Sequence, residues 1–176
     1  IYSVGHISGA HFNPAVTIAF WAIKKLPGVR VLGYLFAQFS GAVFAGISHY
    51  FIWGKLGHSF GQTILSTGLG AGLFVEFIIS FGLMFVITSV ATDSRAVGEL
   101  AGIAIGTTVA VSAFVAGPLT GASMNPARSF APALMNADFE NIWVYLLIPV
   151  LGASLGAFVY DRIRCNKESQ SSSGCC

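Results

Sequence analysis

Gly5-His6-Ile7-Ser8-Gly9-Ala10-His11-Phe12-Asn13-Pro14-Ala15 returns 112 residues later as Gly117-Pro118-Leu119-Thr120-Gly121-Ala122-Ser123-Met124-Asn125-Pro126-Ala127. Six of the eleven positions are identical, and Ile7/Leu119 and Ser8/Thr120 are near matches, so an ancestral duplication is the economical explanation. The helices that follow the two copies echo each other as well, with Gly41-Ala42 opposite Gly152-Ala153 at an offset of 111.

Working outward, the surroundings of both copies are apolar. The chain is 55% hydrophobic and only 9% charged, against about 25% charged in a typical soluble domain. Residues 31–53 carry no acidic or basic side chain, and 65–91 carry only Glu76. Residues 100–127 are uncharged but interrupted by Gly117 and Pro118, and 141–160 are uncharged throughout. A bilayer core of ~30 Å takes about 20 apolar residues of helix. Four spans are predicted, near 31–52, 70–91, 100–116 and 142–161, with no soluble lobe between them.

Three of those spans separate the two motifs, and an odd number inverts the second copy. The motifs therefore enter the membrane from opposite faces, the inverted-repeat plan of many transport proteins. The second copy has two spans in front of its motif, whereas the first has only a short stub. The chain is expected to be a piece of a protein with six spans, holding four of them and both motif segments.

Asparagine is a favoured helix N-cap, and proline is favoured at the first helical position. Each Asn-Pro-Ala is thus a helix start: Asn13, Pro14 and Ala15 in one copy, Asn125, Pro126 and Ala127 in the other. The first helix runs about three turns to Lys24 and Lys25, long enough for half a bilayer. Two such half-helices meeting near the midplane place two positive dipole ends together, which repels cations. The capping bond occupies each Asn oxygen and leaves its NH2 group to orient a passing water or hydroxyl, interrupting a proton-conducting chain of water. The non-helical stretches Gly9, Ala10, His11, Phe12 and Gly121, Ala122, Ser123, Met124 supply carbonyl acceptors along the same lumen, since irregular backbone at membrane depth must line a cavity or be buried in protein.

Three polar side chains stand out in the spans and motifs. Arg128 lies in the first turn after Asn125, the unfavourable dipole end for a cation, and an intramembrane charge costs at least about 2.5 to 3.5 kcal/mol. The first copy has Val16 at that place, so the fold does not demand a charge. Arg128 reads as a filter residue that donates to the solute and repels cations; an arginine snorkelling to the outer surface is the alternative. Glu76 is expected to face the bundle and accept N–H bonds from the 117–124 loop, with Gln38 as a similar buttress. A proton relay is the other role for Glu76, but no second acid lies in a span. His6 and His11 have no further ligands nearby, so no metal or cofactor is expected. The Gly102/Gly106 and Gly152/Gly156 pairs are read as sites of close helix approach.

Charge sets the orientation. With residues before 31 in the cytoplasm, Lys24, Lys25, Arg30, Arg95, Arg162, Arg164 and Lys167 are inside and only Lys55 is outside, following the positive-inside rule. The chain thus divides into a membrane domain, 1–164, and a disordered cytoplasmic tail, 165–176. Cys165, Cys175 and Cys176 all lie in that tail and form no disulfide framework. The closing Cys-Cys pair could accept a lipid, and Ser169, Ser171, Ser172 and Ser173 could accept phosphate from a kinase. The basic residues flank the membrane rather than forming a patch, which excludes nucleic acid.

The run His6-Ile7-Ser8-Gly9-Ala10-His11-Phe12-Asn13-Pro14-Ala15-Val16-Thr17 resembles the major intrinsic protein (aquaporin) family, and the match extends to about Arg164. Ala91-Thr92-Asp93-Ser94-Arg95-Ala96-Val97-Gly98-Glu99 and the stretch from Gly117-Pro118 to Arg128-Ser129 are similar to its plant nodulin-26-like branch. The resemblance implies an all-α membrane fold with two re-entrant half-helices and a homotetramer with one pore per subunit, in the plasma membrane or an endomembrane. It also implies a passive channel for water and small uncharged solutes that excludes ions and protons. Three of the family's four outer-filter positions fall on Ala113, Ala122 and Arg128, and the fourth lies upstream of Ile1. Strict water channels of the family put histidine where Ala113 stands. Alanine there implies a wider, less polar constriction that suits glycerol, urea or a neutral metalloid acid such as boric acid besides water. Rival readings are a non-conducting partner in a hetero-oligomer and an ion-coupled transporter. No nucleophile, base and orienter converge, so an enzyme is not expected.

Overall fold

A computed structural model describes residues 1–54, 59–93 and 95–164. Lys55, His58, Ser94, Lys167 and the tail serines and cysteines lie outside the described residues, and with them the phosphate and lipid readings.

Among the described residues seven α-helices run in chain order: α1 (Gly5–Ser8), α2 (Pro14–Ala22), α3 (Gly28–Trp53), α4 (Leu69–Thr92), α5 (Ala101–Thr120), α6 (Pro126–Asn136) and α7 (Ile142–Ile163), with a 3₁₀ turn at Gly98–Leu100 ahead of α5. Four of them, α3, α4, α5 with its leading turn, and α7, are long and apolar enough to cross a membrane. The two helices that begin at the motifs are shorter. At 1.5 Å per residue α2 is about 13 Å long and α6 about 16 Å, roughly half of a ~30 Å core.

The predicted end of the third span needs correction. Gly117 and Pro118 do not stop it near 116; α5 continues through both to Thr120. A proline in the last turn forfeits only the bond to the Phe114 carbonyl, and the closing carbonyls find other donors. Gly121 N–H donates to Gly117 O (2.9 Å), Ser66 N–H to Leu119 O (2.9 Å) and the Tyr145 hydroxyl to Thr120 O (2.8 Å). Gly121, at φ +79°, then turns the chain in the left-handed conformation that ends many helices. At the other boundary α2 stops at Ala22, short of Lys24 and Lys25.

The repeats exchange their half-helices. α2, from the first copy, packs on α7 of the second as well as on α3, while α6 packs on α3 of the first copy as well as on α7. The core forms where α2, α4 and α7 converge, with Ala15, Ala19 and Phe20 against Leu83, Met84, Ala153 and Ala157. Small residues at 15, 19, 153 and 157 let backbones approach, since packing rather than water exclusion drives helix association in lipid. Outward faces carry exposed apolar groups such as Leu32, Phe36, Phe74 and Phe114.

The two glycine pairs behave differently. An added Cβ at Gly152 or Gly156 would collide with the α4 backbone carbonyls of Phe77 and Phe81, so α7 lies directly on α4 there. Gly102 instead faces the ring of Tyr2, and a Cβ at Gly106 would meet no atom of another element within 4 Å among the described residues. The first pair is a helix contact; the second is not one among the described residues. Gly152→Ala is therefore expected to lower thermal stability in detergent by about 1 to 3 kcal/mol, because the obstructing atoms are backbone and cannot rotate away. Gly106→Ala should change it by less than about 1 kcal/mol, and equal effects at both positions would contradict this packing.

Candidate functional site

Each motif asparagine is extended (φ −153° at Asn13, −151° at Asn125) and caps its own half-helix. Asn13 Oδ1 accepts from Ala15 N–H at 2.8 Å, and Asn125 Oδ1 accepts from Ala127 N–H at 3.1 Å. The amide nitrogens then cross over. Asn13 Nδ2 donates to Met124 O (2.8 Å), and Asn125 Nδ2 donates to Phe12 O (3.0 Å). Each asparagine thus bonds the residue just before the other, and the first turns of α2 and α6 are held end to end.

From sequence, both amides point into a shared lumen. In the structure one hydrogen of each NH2 is taken by the opposite copy, leaving one. Asn125 lines a cavity of about 880 Å³ together with His11, Phe12, Arg128, Tyr34 and Gln38, whereas Asn13 is only 6% exposed.

The segments before the asparagines share an unusual backbone. Gly9 and Gly121 have φ +73° and +79°, Ala10 and Ala122 +46° and +45°, Phe12 and Met124 +49° and +52°. Left-handed conformations cost a non-glycine residue roughly 1–2 kcal/mol each, so four alanine, phenylalanine and methionine positions are strained unless their surroundings hold them.

Matching hydrogen bonds do so in each copy. The Tyr34 hydroxyl donates to Ser8 O (2.7 Å), and the Tyr145 hydroxyl donates to Thr120 O (2.8 Å). Ala10 N–H donates to Ser8 Oγ (3.3 Å), and Ala122 N–H donates to Thr120 Oγ1 (3.1 Å). His11 Nδ1 bonds Thr17 Oγ1 at 3.1 Å, as the Ser123 hydroxyl bonds that of Ser129 at 2.6 Å. Gln38 Nε2 donates to Thr17 Oγ1 (2.9 Å), the counterpart of Thr63 Oγ1 donating to Ser129 Oγ (2.9 Å). The sequence reading gives no supporting role to Tyr34, Tyr145, Thr17, Ser129 or Thr63. The two tyrosines repeat at the same offset of 111 as the glycine-alanine pairs, which was the available signal.

Glu76 is fully buried in α4. Its Oε1 accepts from Ser123 N–H (2.9 Å) and the Thr120 hydroxyl (2.7 Å), and its Oε2 accepts from Met124 N–H (3.1 Å). Three donors compensate a carboxylate that burial would otherwise penalise heavily. The same three bonds fix the loop whose Met124 carbonyl receives Asn13.

Arg128 lines the cavity, and its Nη1 donates to the carbonyl of Gly61 in the segment before α4. Of the other two positions expected in the filter, Ala122 is buried and Ala113 is exposed on α5; neither lines this cavity. His11 is wedged between the rings of Phe20 and Tyr34, at 5.0 and 4.8 Å. Among the described residues no three His, Cys, Asp or Glu side chains gather as a metal site.

Known proteins resemble this chain in sequence and in fold. The sequence pattern of the Major intrinsic protein family matches residues 1–160. The chain is 52% identical over 164 residues to a putative aquaporin, NIP4-1, of Arabidopsis thaliana, covering 93% of this chain and 58% of that protein. It is 52% identical over 165 residues to nodulin-26 of Glycine max, covering 93% and 60%. Among solved structures, the aquaglyceroporin from Plasmodium falciparum superposes with a TM-score of 0.79 at 25% identity, over 90% of this chain and 74% of that one. The chain thus spans about 60% of the length of these curated relatives.

Glu76→Gln leaves one acceptor oxygen where two served three donors and sets an NH2 group against a backbone N–H. The substitution should lower thermal stability in detergent by about 1 to 3 kcal/mol. Glu76→Leu, which strands all three donors, should cost more; wild-type melting of both variants would remove the carboxylate from its supporting role.

Proposed function

The chain belongs to the Major intrinsic protein family, and from that premise we propose that it forms the conducting core of a passive channel for water and small uncharged solutes that excludes ions and protons. The crossed pair of Asn13 and Asn125 carries this reading. It sets two helix N-termini against each other inside an integral, multi-pass membrane protein, so the positive dipole ends and Arg128 act together on whatever passes. Cations meet that potential without a compensating acid, because Glu76 is occupied by Thr120, Ser123 and Met124.

A solute accepts from the free amide hydrogen of Asn125 and from Arg128, and donates to carbonyls of the strained segments Gly9, Ala10, His11, Phe12 and Gly121, Ala122, Ser123, Met124. Water held in that way points both hydrogens away from the amide, which breaks the file along which a proton would hop. The outer filter we propose sits at Ala113, Ala122 and Arg128, of which Arg128 lines the cavity beside Asn125 while Ala113 is exposed on α5 and Ala122 is buried; an alanine wall accommodates the carbon face of glycerol, urea or boric acid. Two relatives are named as aquaporin and nodulin-26 and a structural neighbour as an aquaglyceroporin, which supports the solute class.

The subunit assembles as a homotetramer in the plasma membrane or an endomembrane. Its C-terminus is cytoplasmic, because Lys24, Lys25, Arg30, Arg95, Arg162 and Arg164 all fall on the side where α3 and α5 begin and α4 and α7 end. Tail serines Ser169, Ser171, Ser172 and Ser173 are the proposed kinase substrates.

Proteoliposomes carrying the protein expressed from its full reading frame should gain water and glycerol permeability without ionic current. Robust potassium or proton conductance overturns the channel reading. Ala113→His should reduce glycerol flux more than water flux, and equal loss of both would take Ala113 out of the filter.

A further inference from the structure

The turn ahead of α4 is built around its carbonyls. Phe60 and Gly61 are both left-handed (φ +50° and +74°), and Gln62 N–H closes the turn on Ser59 O at 2.8 Å. That geometry presents the Gly61 carbonyl to Arg128, whose Nη1 donates to it. The turn also lies directly on the loop before the second motif, since a Cβ at Gly121 would sit 2.9 Å from Thr63 Cα.

Polar side chains at and just beyond the C-terminal end of α6 grip the same turn. Asn136 Nδ2 donates to Ser59 O (2.9 Å) and to Gln62 Oε1 (2.7 Å). Gln62 Nε2 donates to Asp138 Oδ2 (2.9 Å). Ala137 at φ +52° folds the chain back so that Asp138 N–H reaches Ala133 O (3.0 Å) and its carboxylate faces the turn. α6 therefore holds the turn from its C-terminal end while presenting, from its first turn, the arginine that bonds it. A long flexible cation has much to gain from one fixed acceptor, because both its rotamer freedom and its reach are otherwise large.

We propose that Gln62, Asn136 and Asp138 form a positioning clamp that fixes the Gly61 carbonyl and, through it, the guanidinium of Arg128, so setting which solutes the filter admits. This deepens the channel reading and rests on it. The three residues touch no solute; they act through the turn. Hydrogen bonds from Glu140 N–H and Gln62 hold the Asp138 carboxyl below its ordinary range, which keeps it an acceptor at neutral and mildly acidic pH. The clamp is thus constitutive.

The test compares Gln62→Ala, Asn136→Ala and the double variant in proteoliposomes, with Thr67→Ala on the same connection as control. The readout is the ratio of glycerol to water permeability, which does not depend on how much protein folds. Each single variant should raise that ratio at least threefold, the double variant should do no more than either single one, and Thr67→Ala should leave it unchanged. In parallel, Arg128 Nη proton exchange, followed by NMR of the arginine-labelled protein in detergent, should accelerate in both single variants. An unchanged ratio with wild-type exchange overturns the clamp, even if total flux falls. If the wild-type protein passes neither solute, the channel reading falls by itself, and the Nη exchange alone decides whether the clamp holds Arg128.

Discussion

Two helices that start in the middle of a bilayer leave their first N–H groups, and the carbonyls of the chain leading to them, where no water can satisfy them. Each unmet group costs several kcal/mol in hydrocarbon. The crossed asparagine amides answer that constraint for both copies at once: one end of each side chain caps its own helix, and the other binds the carbonyl that precedes the opposite helix. Neither half can satisfy itself alone. The exchange of partners, α2 onto α7 and α6 onto α3, follows from the same need.

The segments before the asparagines are strained in both copies, and they are held by hydrogen bonds rather than by packing alone. Most of the bonds repeat in both copies, from the tyrosine hydroxyls on Ser8 and Thr120 carbonyls to the hydroxyls at Thr17 and Ser129. Where the copies differ, the chemistry divides. His11 stands where Ser123 stands in the second copy, and Glu76 reaches the second loop through two backbone N–H groups. The second loop is thereby braced by a charge as well as by neutral groups, and it is the one that adjoins Arg128.

Elements that repeat or that answer to hydropathy were legible in the sequence. The four spans follow from uncharged runs, and the half-helix starts follow from Asn13-Pro14 and Asn125-Pro126, because capping is a local interaction. The end of α5 was not, since whether Pro118 stops a helix depends on donors from Ser66 and Tyr145, far away in sequence. Gly102 and Gly106 carry the same spacing as Gly152 and Gly156, yet among the described residues only Gly152 and Gly156 meet a neighbouring helix backbone. Spacing proposes a contact, and the neighbouring chain decides it. The crossing of the amides was hidden for a similar reason: each partner is a backbone carbonyl, which no residue type announces.

Arg128 shows why the outer end of the site needs more than the repeat supplies. A cation in the first turn of α6 opposes the helix dipole, and its counterpart Val16 in α2 is buried and neutral. The duplication therefore offers no ready-made acceptor for it. What the structure sets there is the carbonyl of Gly61, from the connection between α3 and α4, outside the repeated motif. A peptide carbonyl is a dipole without charge, so it orients the guanidinium without neutralising it. An acid in that place would satisfy Arg128 more strongly and would cancel the positive potential on which the proposed exclusion of cations rests.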